Sequence, residues 1–210
     1  MIIYGDESFY DKKNGLSKVY NNAYIAKIGD NLDTLFIAAD TLVSIESKDP
    51  RKKRLLAYNH VKIWKADLQG VADSLVYVAS DSTIHFFTEP VLWSDGNQIT
   101  ADSIWMQLKN KTIDKLYMIA NSFVASQDSL KNFNQIKGRH MTANFAGSKI
   151  NNVLVEGNGE SLYYALQEEE VEKDGKKYLI TFITGMNKMI CSNMRINFVE
   201  GKVNNVSAYV

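Results

Sequence analysis

Four aspartates are spaced as if they had a common task. Asp6, Asp40, Asp73 and Asp102 follow one another at steps of 34, 33 and 29 residues. Carboxylates repeated at one structural position could form a ladder for calcium, if neighbouring units bring their oxygens within reach of one ion. The glycine-rich nonapeptide of calcium-binding β-rolls is absent, so no metal is expected. The expected role is local: a short carboxylate at the entry to a strand accepts backbone hydrogen bonds there. His60, His85 and His140 fall at unrelated positions of the repeat and show no zinc-like spacing. Cys191 is the sole cysteine, which rules out an intrachain disulfide and reads as a buried, inert thiol. No nucleophile elbow, Walker loop or dinucleotide fingerprint is present. The expectation is therefore a non-enzyme without a cofactor.

One cluster is strongly basic, Lys48-Asp49-Pro50-Arg51-Lys52-Lys53-Arg54. Its favoured reading is a solvated hairpin tip. Arg51, Lys52, Lys53 and Arg54 are also suited to pairing with phosphate oxygens. No aromatic platform interleaves with them, so nucleic acid is not an expected partner.

The aspartates belong to a longer phrase. Ala39-Asp40-Thr41-Leu42, Ala72-Asp73-Ser74-Leu75 and Ala101-Asp102-Ser103-Ile104 are three copies of Ala-Asp-Ser/Thr-Leu/Ile, and Gly5-Asp6-Glu7-Ser8-Phe9 is a weaker fourth. Gly138-Arg139-His140 and Ser192-Asn193-Met194 fill the same slot without aspartate. A step of this size signals stacked repeats, each covering the apolar face of its neighbour. Ile104, Met106 and Leu108 alternate with Ser103, Trp105 and Gln107, as a strand requires. A helix is conceivable over 100–123, but the equivalent stretches of other units lack helical spacing. The whole chain reads as antiparallel β. Glu168-Glu169-Glu170 and Lys173-Asp174-Gly175-Lys176-Lys177 read as the solvated end of a hairpin joining Tyr164-Ala165-Leu166 to Tyr178–Phe182.

The totals agree with a folded protein. Apolar residues make up 45% and charged residues 23%, and 24 basic residues balance 24 acidic ones. That neutrality gives no general attraction to nucleic acid or anionic membrane. No signal peptide is legible at the start, which enters the repeat at once and reads as cut from a longer protein. No apolar run is long enough to span a bilayer.

The Ala-Asp copies at 39, 72 and 101, the strand Tyr58-Asn59-His60-Val61-Lys62-Ile63 and the stretch from Glu89-Pro90-Val91-Leu92-Trp93 to Ile99-Thr100-Ala101-Asp102 resemble the OstA-like, LptA-type lipopolysaccharide-transport family. The likeness is greatest to OstA-like proteins of Bacteroidetes. It runs from Tyr4 to Phe145 and more weakly beyond. The resemblance implies a repetitive, twisted antiparallel β-jellyroll whose two facing sheets form a V-shaped apolar trough. It implies a periplasmic module that shields acyl chains of lipopolysaccharide or lipid A during outer-membrane biogenesis. It also implies stacking on other lipopolysaccharide-transport proteins, or on further copies as a homo-oligomer, through edge strands. On this frame residues 1–165 hold the repeats, 166–188 are a hairpin insertion and 189–210 are a final repeat closing the same domain. The expected trough residues are Leu75, Tyr77, Ile104, Met106, Leu108, Met118, Phe123 and Phe145, with Arg51–Arg54 toward lipid phosphates. An ordinary sealed core would bury the same residues, leaving a β-repeat scaffold that assembles through its edges without lipid.

Overall fold

The computed structural model describes residues 2–28, 34–94, 96–110, 112–147, 149–199 and 202–209. They form one antiparallel sheet of fifteen strands, with a single 3-10 turn at Pro50–Lys52. In chain order the strands are β1 (Ile2–Tyr4), β2 (Glu7–Asp11), β3 (Leu16–Ile28), β4 (Thr34–Ile45), β5 (Arg54–Lys65), β6 (Leu68–Val78), β7 (Thr83–Phe87), β8 (Val91–Ser94), β9 (Asn97–Thr100), β10 (Ser103–Lys109), β11 (Thr112–Gln127), β12 (Phe133–Ala146), β13 (Lys149–Lys173), β14 (Lys176–Val199) and β15 (Lys202–Tyr209). The stretch 100–123 is strand, as its alternation requires.

Most strands pair antiparallel with the strand that follows them in the chain. The long strands are creased near their middles. The register breaks between Tyr20 and Ala23, Ala38 and Thr41, Tyr58 and Val61, Ile119 and Ser122, and Glu156 and Gly159. Short strands achieve the same crease by stopping and restarting. β1 gives way to β2 at Gly5-Asp6, β7 to β8 at Thr88–Pro90, and β9 to β10 at Ala101-Asp102.

The crease divides the sheet into two walls whose inner faces share one core. Leu42, Ala57, Leu75, Phe86, Ile104, Met106, Leu116, Met118, Met141 and Val153 come from one wall. Ile25, Ile37, Val61, Ile63 and Leu92 come from the other, and all belong to a single apolar cluster. Alternation along each strand sends these side chains inward and polar ones outward. The result is the repetitive all-β fold that the sequence implies.

One structural fact revises the sequence reading. Asp40 and Asp73 do not open strands: they lie inside β4 and β6, on the crease. The segment 166–188 is the distal part of β13 and β14, continuous with the sheet. Its turn is Asp174-Gly175, both residues at positive φ (53° and 70°), as a two-residue type I′ hairpin demands.

Candidate functional site: the creased inner face and its rims

The crease has a chemical rule. On alternate strands it is made by a small residue followed by an outward polar one: Gly5-Asp6, Ala39-Asp40, Ala72-Asp73, Ala101-Asp102 and Gly138-Arg139. The small residue faces the apex, where the walls meet and space runs out. A Cβ at Gly138 would lie far inside contact distance of Val155 Cγ1, and one at Gly5 inside that of Val19 Cγ1. On the intervening strands the crease is a pair of left-handed residues. Asn21 and Asn22 have φ of 54° and 51°, Asn59 and His60 have 61° and 52°, and Ala120 and Asn121 have 58° and 48°. Asparagine tolerates this region better than most residues because its short side chain bonds locally.

The two corner types hold each other. Asn22 Nδ2 donates to Asp6 (2.8 Å), and Asn121 Nδ2 donates to both carboxylate oxygens of Asp102 (3.0 and 3.2 Å). His60 Nδ1 lies 2.8 Å from Asp40 Oδ2. Farther along, the Ala120 N–H donates to His140 Nδ1 (3.2 Å) and the Gly157 N–H to Asn193 Oδ1 (3.0 Å). Asp6, Asp40 and Asp102 are therefore corner clamps that tie a left-handed pair on the neighbouring strand, whereas Asp73 accepts from Ser74 Oγ on its own strand (2.7 Å). Among the described residues, no cluster of three or more metal-ligating side chains could hold an ion.

The inner face is graded. Ile104, Leu75, Met118 and Met106 are buried to 2% exposure or less. All four are close to the apex and pack between the walls. Farther out, Tyr77, Leu108 and Phe145 are only partly buried. Tyr77 lies in register with Leu55 and Ile84, and Leu108 with Ile113. Leu55, Ile84, Ile113, Ile150 and Phe198 complete this half-exposed band, and Leu35, Leu68, Ile99, Val124 and Ile136 form its counterpart on the other wall. Sequence reasoning missed these ten. Their signal was parity with an already chosen neighbour, such as Val124 six residues from Met118.

Phe123 is a correction. Val124 packs on the core, so Phe123 points to the outer face. There it borders a shallow hollow with Lys137, Glu160, Leu162 and Lys188. Lys188 donates to the Glu160 carboxylate (2.8 Å) and holds its pKa below the ordinary value. All three tryptophans are also outward-facing and exposed. Beside Trp105, at 5.1 Å between ring centres, the His85 pKa is lowered, chiefly by burial.

The reversals fall on two rims. Turns β2–β3, β4–β5, β6–β7, β10–β11 and β12–β13 share the rim of the wall that contains Leu75 and Ile104. This rim carries Lys12, Lys13, Lys48, Arg51, Lys52, Lys53, Lys109 and Lys149 among the described residues, against Asp11, Glu46, Asp49 and Asp81. The basic cluster predicted from sequence is thus a rim turn. Arg51 is committed to Asp49 through two side-chain bonds (3.1 and 3.0 Å), which lower the aspartate pKa, and Lys53 to Glu46 (3.1 Å). Lys52 is exposed at the tip, and Arg54 is half-buried where β5 begins.

An antiparallel sheet creased along a line of clamped corners, fully buried at the apex and partly buried toward its rims, defines an all-β repeat fold. Residues 31–112 match the family model described as LptA/(LptD N-terminal domain) LPS transport protein. That stretch is similar to the lipopolysaccharide-transport family and makes up 82 of the 210 residues. Among solved structures, LptH, the LptA-homologous periplasmic component of the lipopolysaccharide transport device of Pseudomonas aeruginosa, is similar at a TM-score of 0.44. It shares 9% identity, and the match covers 54% of this chain and 79% of that one. No curated protein sequence matches.

Proposed function

We propose that this chain is a periplasmic carrier module in lipopolysaccharide transport, and that the half-exposed inner band receives acyl chains. The observation that carries this reading is the gradient of burial along single strands. On β10, Ile104 is fully buried, Met106 nearly so and Leu108 only partly. A sealed sandwich buries a strand's inner residues along its length; a wedge closes at the apex and opens outward. Each methylene placed in that opening contributes roughly 0.8 kcal/mol, with no polar chemistry required.

The basic rim supports an amphipathic ligand. Acyl chains lying against Tyr77, Leu108 and Phe145 leave their headgroup at the rim that bears Lys52, Arg54 and the other cations, where phosphate is favoured. Arg51 and Lys53 reach it only by exchanging their present carboxylate partners. Ile104, Met106, Leu75 and Met118 then serve as the floor that holds the walls together. Other lipopolysaccharide-transport proteins are the partners this role needs, engaged through the terminal strands.

A photoreactive lipid A analogue tests the reading, with crosslinks mapped by mass spectrometry. The expected crosslinks fall on Leu55, Tyr77, Ile84, Leu108 and Phe145, and not on outward Trp105 or Phe123. Absence of crosslinks to the folded protein, with the analogue active on an established carrier, overturns it.

A further inference from the structure

The wall that contains Ile37, Ile63 and Leu92 carries a second ladder on its outer face. Phe36, Trp64, Gln69, Trp93 and Gln98 lie on β4, β5, β6, β8 and β9, and each is the direct partner of the next. They alternate along their strands with the inward Ile37, Ile63, Gly70, Leu92 and Ile99, so all five point outward. Trp64 is 51% exposed and Trp93 39%, and both glutamines are exposed. The row lies in the middle of the sheet, with β3 paired to β4 on one side and β11 to β9 on the other.

The two indoles are held in place. Phe36 props Trp64, with ring centres 5.9 Å apart and planes tilted by 54°. Trp93 Nε1 donates to Gln98 Oε1 (3.2 Å). Gln98 spends its carbonyl on this bond and keeps its amide donors for a ligand. The Ser94 hydroxyl donates to the Asp67 carbonyl (2.9 Å), tying the β8–β9 hairpin to the turn between β5 and β6. The indoles stand two strands apart, about 10 Å, with the exposed Gln69 amide between them.

We infer that this ladder binds an extended, uncharged β-1,4-linked glycan of N-acetylhexosamine, laid across the strands. Chemistry selects this occupant. The C–H face of a pyranose ring stacks on an indole as other flat apolar surfaces do. In a β-1,4 glycan each sugar advances by about one strand spacing and is turned over relative to the last. Alternate rings therefore present the same face to Trp64 and Trp93. The sugar between them lies over Gln69, whose amide matches an acetamido group donor to acceptor and acceptor to donor. Other ligands fit less well. No residue of the ladder is charged, and the next outward row, Ala38, Lys62, Val71, Val91 and Thr100, has one cation. That is too little for a nucleic acid or a phosphate headgroup. An acyl chain would cover the glutamine amides without bonding them. The inference is independent of lipid binding, which concerns the opposite face of the sheet.

Calorimetric titration of the 210-residue chain with the N-acetylglucosamine hexamer tests this. Saturable binding is expected. The indole N–H resonances of Trp64 and Trp93 should shift, and that of Trp105 should not, because Trp105 is comparably exposed but lies on the other wall. Maltohexaose, whose α-1,4 linkages curl the chain, should bind roughly tenfold more weakly or not at all. Trp64→Ala and Trp93→Ala should each weaken hexamer binding roughly tenfold, as the loss of one stacked ring implies. Trp105→Ala should leave it unchanged. No binding to the folded protein, equal binding of maltohexaose, or a loss at Trp105→Ala that matches Trp64→Ala overturns the inference. If an alanine variant unfolds, Trp64→Leu decides: it keeps apolar bulk and loses the flat face, so undiminished binding there also overturns the inference.

Discussion

Gly138→Ala probes the rule that the apex admits only small residues. Gly138 is buried on β12 beside Val155, itself 1% exposed. The new Cβ would overlap Val155 Cγ1, a branched methyl with little freedom to turn away, and its other neighbours sit at ordinary distances: 3.5 Å to His140 O and 3.7 Å to Gly157 O. One methyl group too many in a packed core costs about 1–3 kcal/mol, against which alanine returns about 0.4–1 kcal/mol by restricting the unfolded chain. The net loss is on the order of 1–2 kcal/mol, or roughly 2–8 °C in melting temperature for a chain of this size. Val155→Ala alone removes two buried carbons and costs about 2 kcal/mol. The double variant is the informative one. With Cγ1 gone, the alanine Cβ at 138 occupies vacated space, so the pair should be no less stable than Val155→Ala by itself. Urea unfolding of all four proteins gives the cycle. Losses that add to within about 0.5 kcal/mol would refute the steric account, because uncoupled sites add. A harmless Gly138→Ala would do the same.

The corner clamp predicts that Asn121→Ala loses about 1–2 kcal/mol in urea unfolding, by breaking the bond to Asp102 and leaving alanine at positive φ, while Asn121→Gly recovers part of it. On the inner face, Met106→Lys should destabilise the fold severely, because it buries an unpaired charge, whereas Leu108→Lys should fold and lose lipid crosslinking. The His85 ring should titrate below 6.5 by NMR. A base with a lowered folded pKa binds fewer protons when folded, so its contribution to stability is full above pH 6.5 and falls as pH drops toward the folded value. His85→Phe should flatten that part of the stability profile.

Much of this architecture is legible in the residues. Alternation identifies β10 and the inward set Ile104, Met106 and Leu108, and the Asp174-Gly175 pair marks the long hairpin correctly. The aspartates were visible, but their role was not, because a strand that continues through a crease looks in sequence like one that begins there. The missing clue was the partner. An asparagine or histidine follows Asp6, Asp40 and Asp102 after 16, 20 and 19 residues and makes the opposing bond. Phe123 was misplaced because its aromatic character outweighed its odd distance from Met118. The reach of β13 beyond β12 cannot be read from composition, because it depends on where β12 begins to pair with it.

The clamped crease also gives the groove translational symmetry. The hydrogen-bonded path runs through twelve strands, about 50 Å at the usual strand spacing, and the corner pattern recurs every second strand, about each 10 Å. If the band receives acyl chains as proposed, an apolar guest meets a series of near-equivalent berths instead of one deep minimum. Moving to the next berth exchanges one set of contacts for a similar set, so displacement along the groove changes the free energy little while escape across a rim forfeits the whole burial. Under the proposed carrier role such a surface would act as a rail: it would confine in two dimensions and leave the third open, and a net direction of travel would have to come from the proteins engaged at its ends.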